Sequence, residues 1–178
     1  MNFKKFLPWI IAVIVIFGIY SWASGIYNKA VTLEQDVKES WGNVNTAYQR
    51  RNDLIPNLVN TVKGAANFEK STLEAVVNAR AQATQTKIDV SNLSPEKVAE
   101  FQKAQGQLSG AIGRLLVTME KYPELKATDA FRHLQEQLEG TENRIKVSRN
   151  DFNAAVQEYN TSMKKFPMVL FSGIFGFK

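Results

Sequence analysis

The chain has 178 residues, 44% hydrophobic and 22% charged: too apolar for a disordered chain, and long enough for one domain with a short appendage. With no cysteine it forms no disulfide, thiolate metal site, cysteine nucleophile or iron–sulfur ligation, and one histidine, His133, is too few for multi-histidine metal motifs. The net charge of +5 is carried by Lys4 and Lys5 at one end and Lys164, Lys165 and Lys178 at the other, so the middle is neutral and offers no basic nucleic-acid face.

No charged residue lies between Lys5 and Lys29. The densest part, residues 7–20, is apolar on all sides, with Trp9 near one end and Tyr20 and Trp22 near the other, where an aromatic belt would sit. Pro8 falls in the first turn, where its missing N–H costs nothing. About 20 such residues cross the ~30 Å hydrocarbon layer as a helix. An N-terminal segment 1–28 with a transmembrane anchor at about 7–24 is therefore predicted. The competing reading is a cleaved signal peptide with small residues at Ser21 and Ala23, but the apolar run is long for one. Lys4 and Lys5 favour a cytoplasmic amino terminus, with the following domain outside, in the periplasm where an outer membrane exists.

From Ala30 the apolar positions step by three and four: Leu33, Val37, Trp41, Val44, Tyr48, Arg51, Ile55, Leu58 and Val62, in phase across Pro56. Shorter stripes follow at Leu73, Val76, Arg80 and Ala83, and then, after a loop at 86–93, from Val98 to Tyr122. Ser94-Pro95-Glu96 reads as an N-cap, a proline at the first helical position and an acid complementing the helix dipole. A fourth stripe runs from Phe131 to Phe166 and stops at Pro167. No window alternates with period two. An all-α protein is predicted: the anchor, then an antiparallel four-helix bundle over 29–166, then an apolar tail over 167–178.

Polar residues occupy seam positions where a simple bundle has leucine: Arg51, Arg80, Gln105, Thr141 and Ser148. Buried charge is tolerated when paired, so Arg51 and Arg80 are expected to meet carboxylates such as Glu142 or Glu120, with Arg149 flanking. An ion-pair network fixing helix register is the favoured reading, and an arginine-lined ligand groove the alternative. His133 reads as a surface histidine, since no nucleophile motif accompanies it. There is no phosphate loop, EF-hand loop or His-Glu-x-x-His, and no catalytic residue, metal ligand or cofactor is expected.

The tail is aromatic and uncharged up to Lys178. An up-down-up-down order brings the fourth helix back toward the membrane, so Lys164 and Lys165 with Phe171, Ile174, Phe175 and Phe177 are expected at the bilayer surface; packing of the tail on the bundle is the alternative.

The stretch Arg50-Arg51-Asn52-Asp53-Leu54-Ile55-Pro56-Asn57-Leu58-Val59, with Glu120-Lys121-Tyr122-Pro123-Glu124-Leu125-Lys126, Gly140-Thr141-Glu142-Asn143-Arg144-Ile145 and Phe175-Gly176-Phe177, resembles the LemA family of bacterial membrane-anchored proteins over nearly the whole chain. Ala65 and Phe68 depart from the family's usual aromatic and histidine, and members commonly continue past Lys178 into a further aromatic stretch. The resemblance implies an anchor and a four-helix domain, and through relatives associated with magnetosome membranes a membrane-organising role. The function expected is a non-enzymatic, self-associating scaffold or adaptor of the bacterial inner membrane, with the lipid bilayer, further copies and a membrane protein as partners and no nucleic acid. The rival is a sensor binding a ligand through the seam arginines.

Overall fold

Helix propensity and the three–four stripes dominate the local structure, and among the described residues every regular element is a helix. The computed structural model describes residues 3–64, 68–89 and 93–177. Ala65, residues 90–92 of the expected loop and Lys178 lie outside the described residues, as do the side chains of Lys4, Lys5 and Ile174. In chain order the elements are α1 (Phe3–Lys63), α2 (Lys70–Gln85), α3 (Pro95–Met119), α4 (Pro123–Lys126), α5 (Asp129–Lys164) and α6 (Met168–Phe175).

The 61 residues of α1 are continuous through the apolar run, the stripe that follows it and Pro56. Helix α3 opens as its sequence dictates: the Ser94 hydroxyl accepts from the Lys97 backbone N–H at 3.3 Å, and Pro95 occupies the first helical position. Hydrogen bonds at its own backbone and from Ser94 hold the Glu96 carboxyl below its ordinary 4.5. Two short helices fall where the sequence led us to expect stops. Pro123 ends one stripe but also starts α4, because a proline suits a first turn as well as it interrupts a later one. The tail beyond Pro167 forms α6, closed by Gly176 at φ 75°, a left-handed cap that lets the Phe177 N–H reach the Ser172 carbonyl at 3.0 Å.

The chain divides into two compact units, Ser40–Asp151 and Met1–Glu39 with Phe152–Lys178. In the first, α1, α2, α3 and α5 share one core: Ile55, Leu58 and Val62 meet Leu73 and Val76, Leu108, Leu115 and Met119, and Phe131 and Leu138. Each such side chain, fully buried, stabilises the fold by about 1.5–3 kcal/mol. Trp41 and Tyr48 meet the Phe101 ring edge-on, at 5.3 and 5.1 Å between centroids. In the second unit Ala30 and Leu33 of α1, Tyr159 of α5 and Met168 of α6 form a smaller core, joined by Ile26, Val37, Met163 and Phe177.

Candidate functional site

The polar layer of the unit Ser40–Asp151 is built around one buried guanidinium. Arg51 sits in the apolar stripe of α1 and is 1% exposed. Its Nη1 donates to Glu142 Oε1 of α5 at 2.7 Å, and its Nη2 donates to the Gln105 backbone carbonyl and to Gln105 Oε1 of α3, at 2.8 and 2.7 Å. Gln105 Nε2 in turn donates to the Ala83 carbonyl of α2 at 3.3 Å, so one chain of bonds joins all four helices of that core. The Tyr48 ring lies 5.1 Å from the guanidinium carbon, within range of a cation–π contact. Arg51 Nε and Asn52 Oδ1 are buried and have no hydrogen-bond partner among the described residues.

Arg80 has a different task, set by Pro56. A proline has no N–H, so the helical bond from residue 56 back to the Asn52 carbonyl cannot form. That carbonyl is left for another donor, and Arg80 Nε supplies one at 2.9 Å. A buried carbonyl without a donor costs free energy, so Arg80 makes a proline tolerable in mid-helix. Arg80→Leu should therefore cost about 1–1.5 kcal/mol in the native sequence and much less in a Pro56→Ala background, where the helix supplies the bond itself. Denaturation of the two single variants and the double variant measures this coupling; equal costs in both backgrounds would refute it.

Of the residues expected in the network, the structure brings together Arg51 and Glu142, and places Arg149 at the Tyr48 hydroxyl. Glu120 does not join them: it is exposed at the end of α3 and pairs with Lys126 of α4 at 2.6 Å. Arg80 meets a backbone carbonyl rather than a carboxylate. Thr141 is buried and satisfies itself on the Gln137 carbonyl at 2.7 Å. His133 is exposed beside Gln137. Sequence reasoning missed Asn52 as an acceptor, although Pro56 four residues on was the signal for it, and took Tyr48 as merely apolar.

Burial pushes the Tyr48 phenol above its ordinary 10.0, against the lowering charges of Arg149 and Arg51. A raised folded-state value means that this contribution is fully present below pH 10 and is lost as pH rises through the folded value. Tyr48→Phe should thus lose less stability than the native chain on going from below to above pH 10, read from urea midpoints. An identical alkaline loss in both would show that Tyr48 is hydrated.

The second unit carries a long exposed apolar run. From Phe6 to Tyr20 the large side chains of α1 are exposed, Ile16 at 66% and Phe17 at 70%, and this helix is long and apolar enough to cross a membrane. The tail phenylalanines lie just beyond that run: Phe171 meets Trp22 at 5.6 Å, and Phe175 and Phe177 meet Tyr27 at 5.2 and 5.7 Å. Lys164 and Lys165 are exposed at the end of α5. Among the described residues no group of three or more histidine, cysteine or acidic side chains could hold a metal ion.

These features define a class: a helical protein with one membrane-compatible N-terminal helix and a core crossed by a buried arginine layer. The LemA family model matches residues 40–178, and the chain belongs to that family. It is similar to magnetosome protein MamQ 2 of Paramagnetospirillum magneticum, 28% identical over 169 residues that cover 85% of this chain and 62% of the relative. Magnetosome protein MamQ of Magnetospirillum gryphiswaldense is 27% identical over 173 residues, with the same coverage. Protein LemA of Metamycoplasma hominis is 22% identical over 142 residues, 80% of this chain and 61% of the relative. The chain thus spans about three fifths of the length of these curated relatives.

Proposed function

We propose that the protein is a single-pass, non-enzymatic scaffold or adaptor of the bacterial inner membrane, self-associating, with its helical domain outside the cytoplasm. The observation that carries this reading is α1 itself: its first part exposes large apolar side chains on every face, while the residues after Ala30 bury a stripe. A helix apolar all round needs lipid or protein about it, and an anchored rigid domain is suited to holding partners at a surface. Two of the relatives are named as magnetosome proteins, which is in keeping with an association with membranes.

An antiparallel four-helix arrangement of α1, α2, α3 and α5 is part of the reading. Its support is register: Arg51, Ala83, Gln105 and Glu142 meet at one level, while Phe68 and Tyr122, at the far ends of their segments, meet at 5.0 Å. Mass measurement of the full chain in lipid nanodiscs tests self-association, and a strict monomer overturns it. Protease accessibility in spheroplasts tests the orientation, and a protected helical domain reverses it.

The sensor reading draws on the unpartnered Arg51 Nε and Asn52 Oδ1. Against it, both terminal nitrogens of Arg51 are already taken by Glu142 and Gln105, which leaves an anionic ligand little to bind. Thermal stabilisation by an anionic metabolite, abolished in a folded Arg51→Leu variant, would restore it.

A further inference from the structure

Helix α6 is apolar at every position except Ser172 and Gly173, and its two sides have different surroundings. Met168, Phe171 and Ser172 are buried or half-buried, and with Phe175 they line a small cleft against Ile26, Tyr27 and Ala30 of α1. The opposite side is uncovered: Val169 is 50% and Leu170 59% exposed, and Phe166 just before the helix is 75% exposed. A helix apolar all round is covered on all sides in its working environment. The phenylalanines that the sequence marks for the membrane, Phe171 and Phe175, are the ones that face α1.

We propose that α6 is an interfacial helix, seated by its Met168–Phe171–Phe175 side on α1 and entering the headgroup–acyl boundary of the bilayer with Phe166, Val169 and Leu170. The inference rests on the reading of residues 7–24 as a membrane anchor. Two observations favour lipid as the occupant. The first is continuity: Trp22 and Tyr27, which hold Phe171 and Phe175, directly follow the uncovered apolar run of α1, and they are the residue types that settle at a membrane interface. The second is charge: Lys164 and Lys165 are exposed immediately before α6, Lys29 is exposed on α1, and no acidic residue lies between Glu158 and Phe177. Such a patch complements anionic headgroups and leaves the adjoining apolar side chains free to enter the acyl boundary, about 5–10 Å deep.

The chain contains no cysteine, so single substitutions carry a nitroxide label at one chosen place. Ile14→Cys, Leu170→Cys, Val169→Cys and Val117→Cys would be labelled in the full chain, reconstituted in vesicles of phosphatidylcholine and phosphatidylglycerol, and probed for collisions with oxygen and with a water-soluble nickel chelate. All four side chains are at least half exposed, so the labels should be tolerated. The Val117 label should favour nickel and the Ile14 label oxygen. The labels at Leu170 and Val169 should also favour oxygen, at a shallower depth than Ile14. If Leu170 and Val169 match Val117 while Ile14 remains in lipid, the interfacial helix is overturned and the anchor stands. If Ile14 itself favours nickel, the anchor reading falls and the inference with it. Leu170 labels shielded from both oxygen and nickel, with spin–spin broadening that disappears on dilution with unlabelled protein, would put a second copy on this face, which also overturns it.

Discussion

Arg51→Ala is expected to destabilise the helical domain by about 3–5 kcal/mol, the usual cost of removing one partner from a buried charged network. The larger share comes from Gln105, which is 2% exposed and would lose the donor to both its backbone carbonyl and its Oε1. Glu142 matters less, since its side chain is 46% exposed and water can replace the guanidinium. Glu142→Gln should accordingly cost about 1 kcal/mol. Replacing Arg51 and Glu142 together by apolar residues should recover little, whereas Arg51→Met with Gln105→Leu should recover most of the loss. Chemical denaturation in mild detergent measures all four, and a loss below about 1 kcal/mol for Arg51→Ala would show that water takes over its bonds.

Trp41→Ala should cost about 3–5 kcal/mol. Trp41 is 1% exposed, and its loss would open a void beside Phe101 that the surrounding helix backbones cannot close. Trp41→Phe, which keeps a ring edge on Phe101, should cost clearly less. Val117→Ala is a suitable reference, because Val117 is 72% exposed and its truncation should change stability by under about 0.5 kcal/mol. Thermal unfolding of the three variants would rank them, and a Trp41→Ala loss no larger than that of Val117→Ala would contradict the packing around Trp41.

Much of the helical pattern could be read from spacing. The positions Trp41, Val44, Tyr48, Arg51, Ile55, Leu58 and Val62 are buried because one face of a helix recurs every three or four residues, and Arg51 is held to that face by the same arithmetic. Ser94 and Pro95 mark the start of α3 because a cap and a first-turn proline are local chemistry. What spacing could not supply was the choice of partner. Glu120 and Glu142 both lie near the right stripes, and only the packing of α5 on α1 brings Glu142 within 2.7 Å of Arg51. Arg80 on Asn52 depends on a bond that Pro56 removes, a negative fact that no hydrophobic pattern carries. The tail helix was hidden for a related reason: with nearly every residue apolar, periodicity has no polar face to mark it.

The Arg51 layer also has a consequence for the rate at which the fold is lost. Arg51 and Glu142 are 91 residues apart in the chain, and Arg51 and Gln105 are 54 apart. Closing such long loops carries an entropic cost, so these bonds are expected to form after the local helices and hairpins and to contribute little to the folding transition state. Weakening them should then leave the refolding rate nearly unchanged and appear almost wholly as faster unfolding. On this expectation the buried arginine is a late-closing latch, and stopped-flow refolding of Arg51→Ala that slowed in proportion to its lost stability would overturn it.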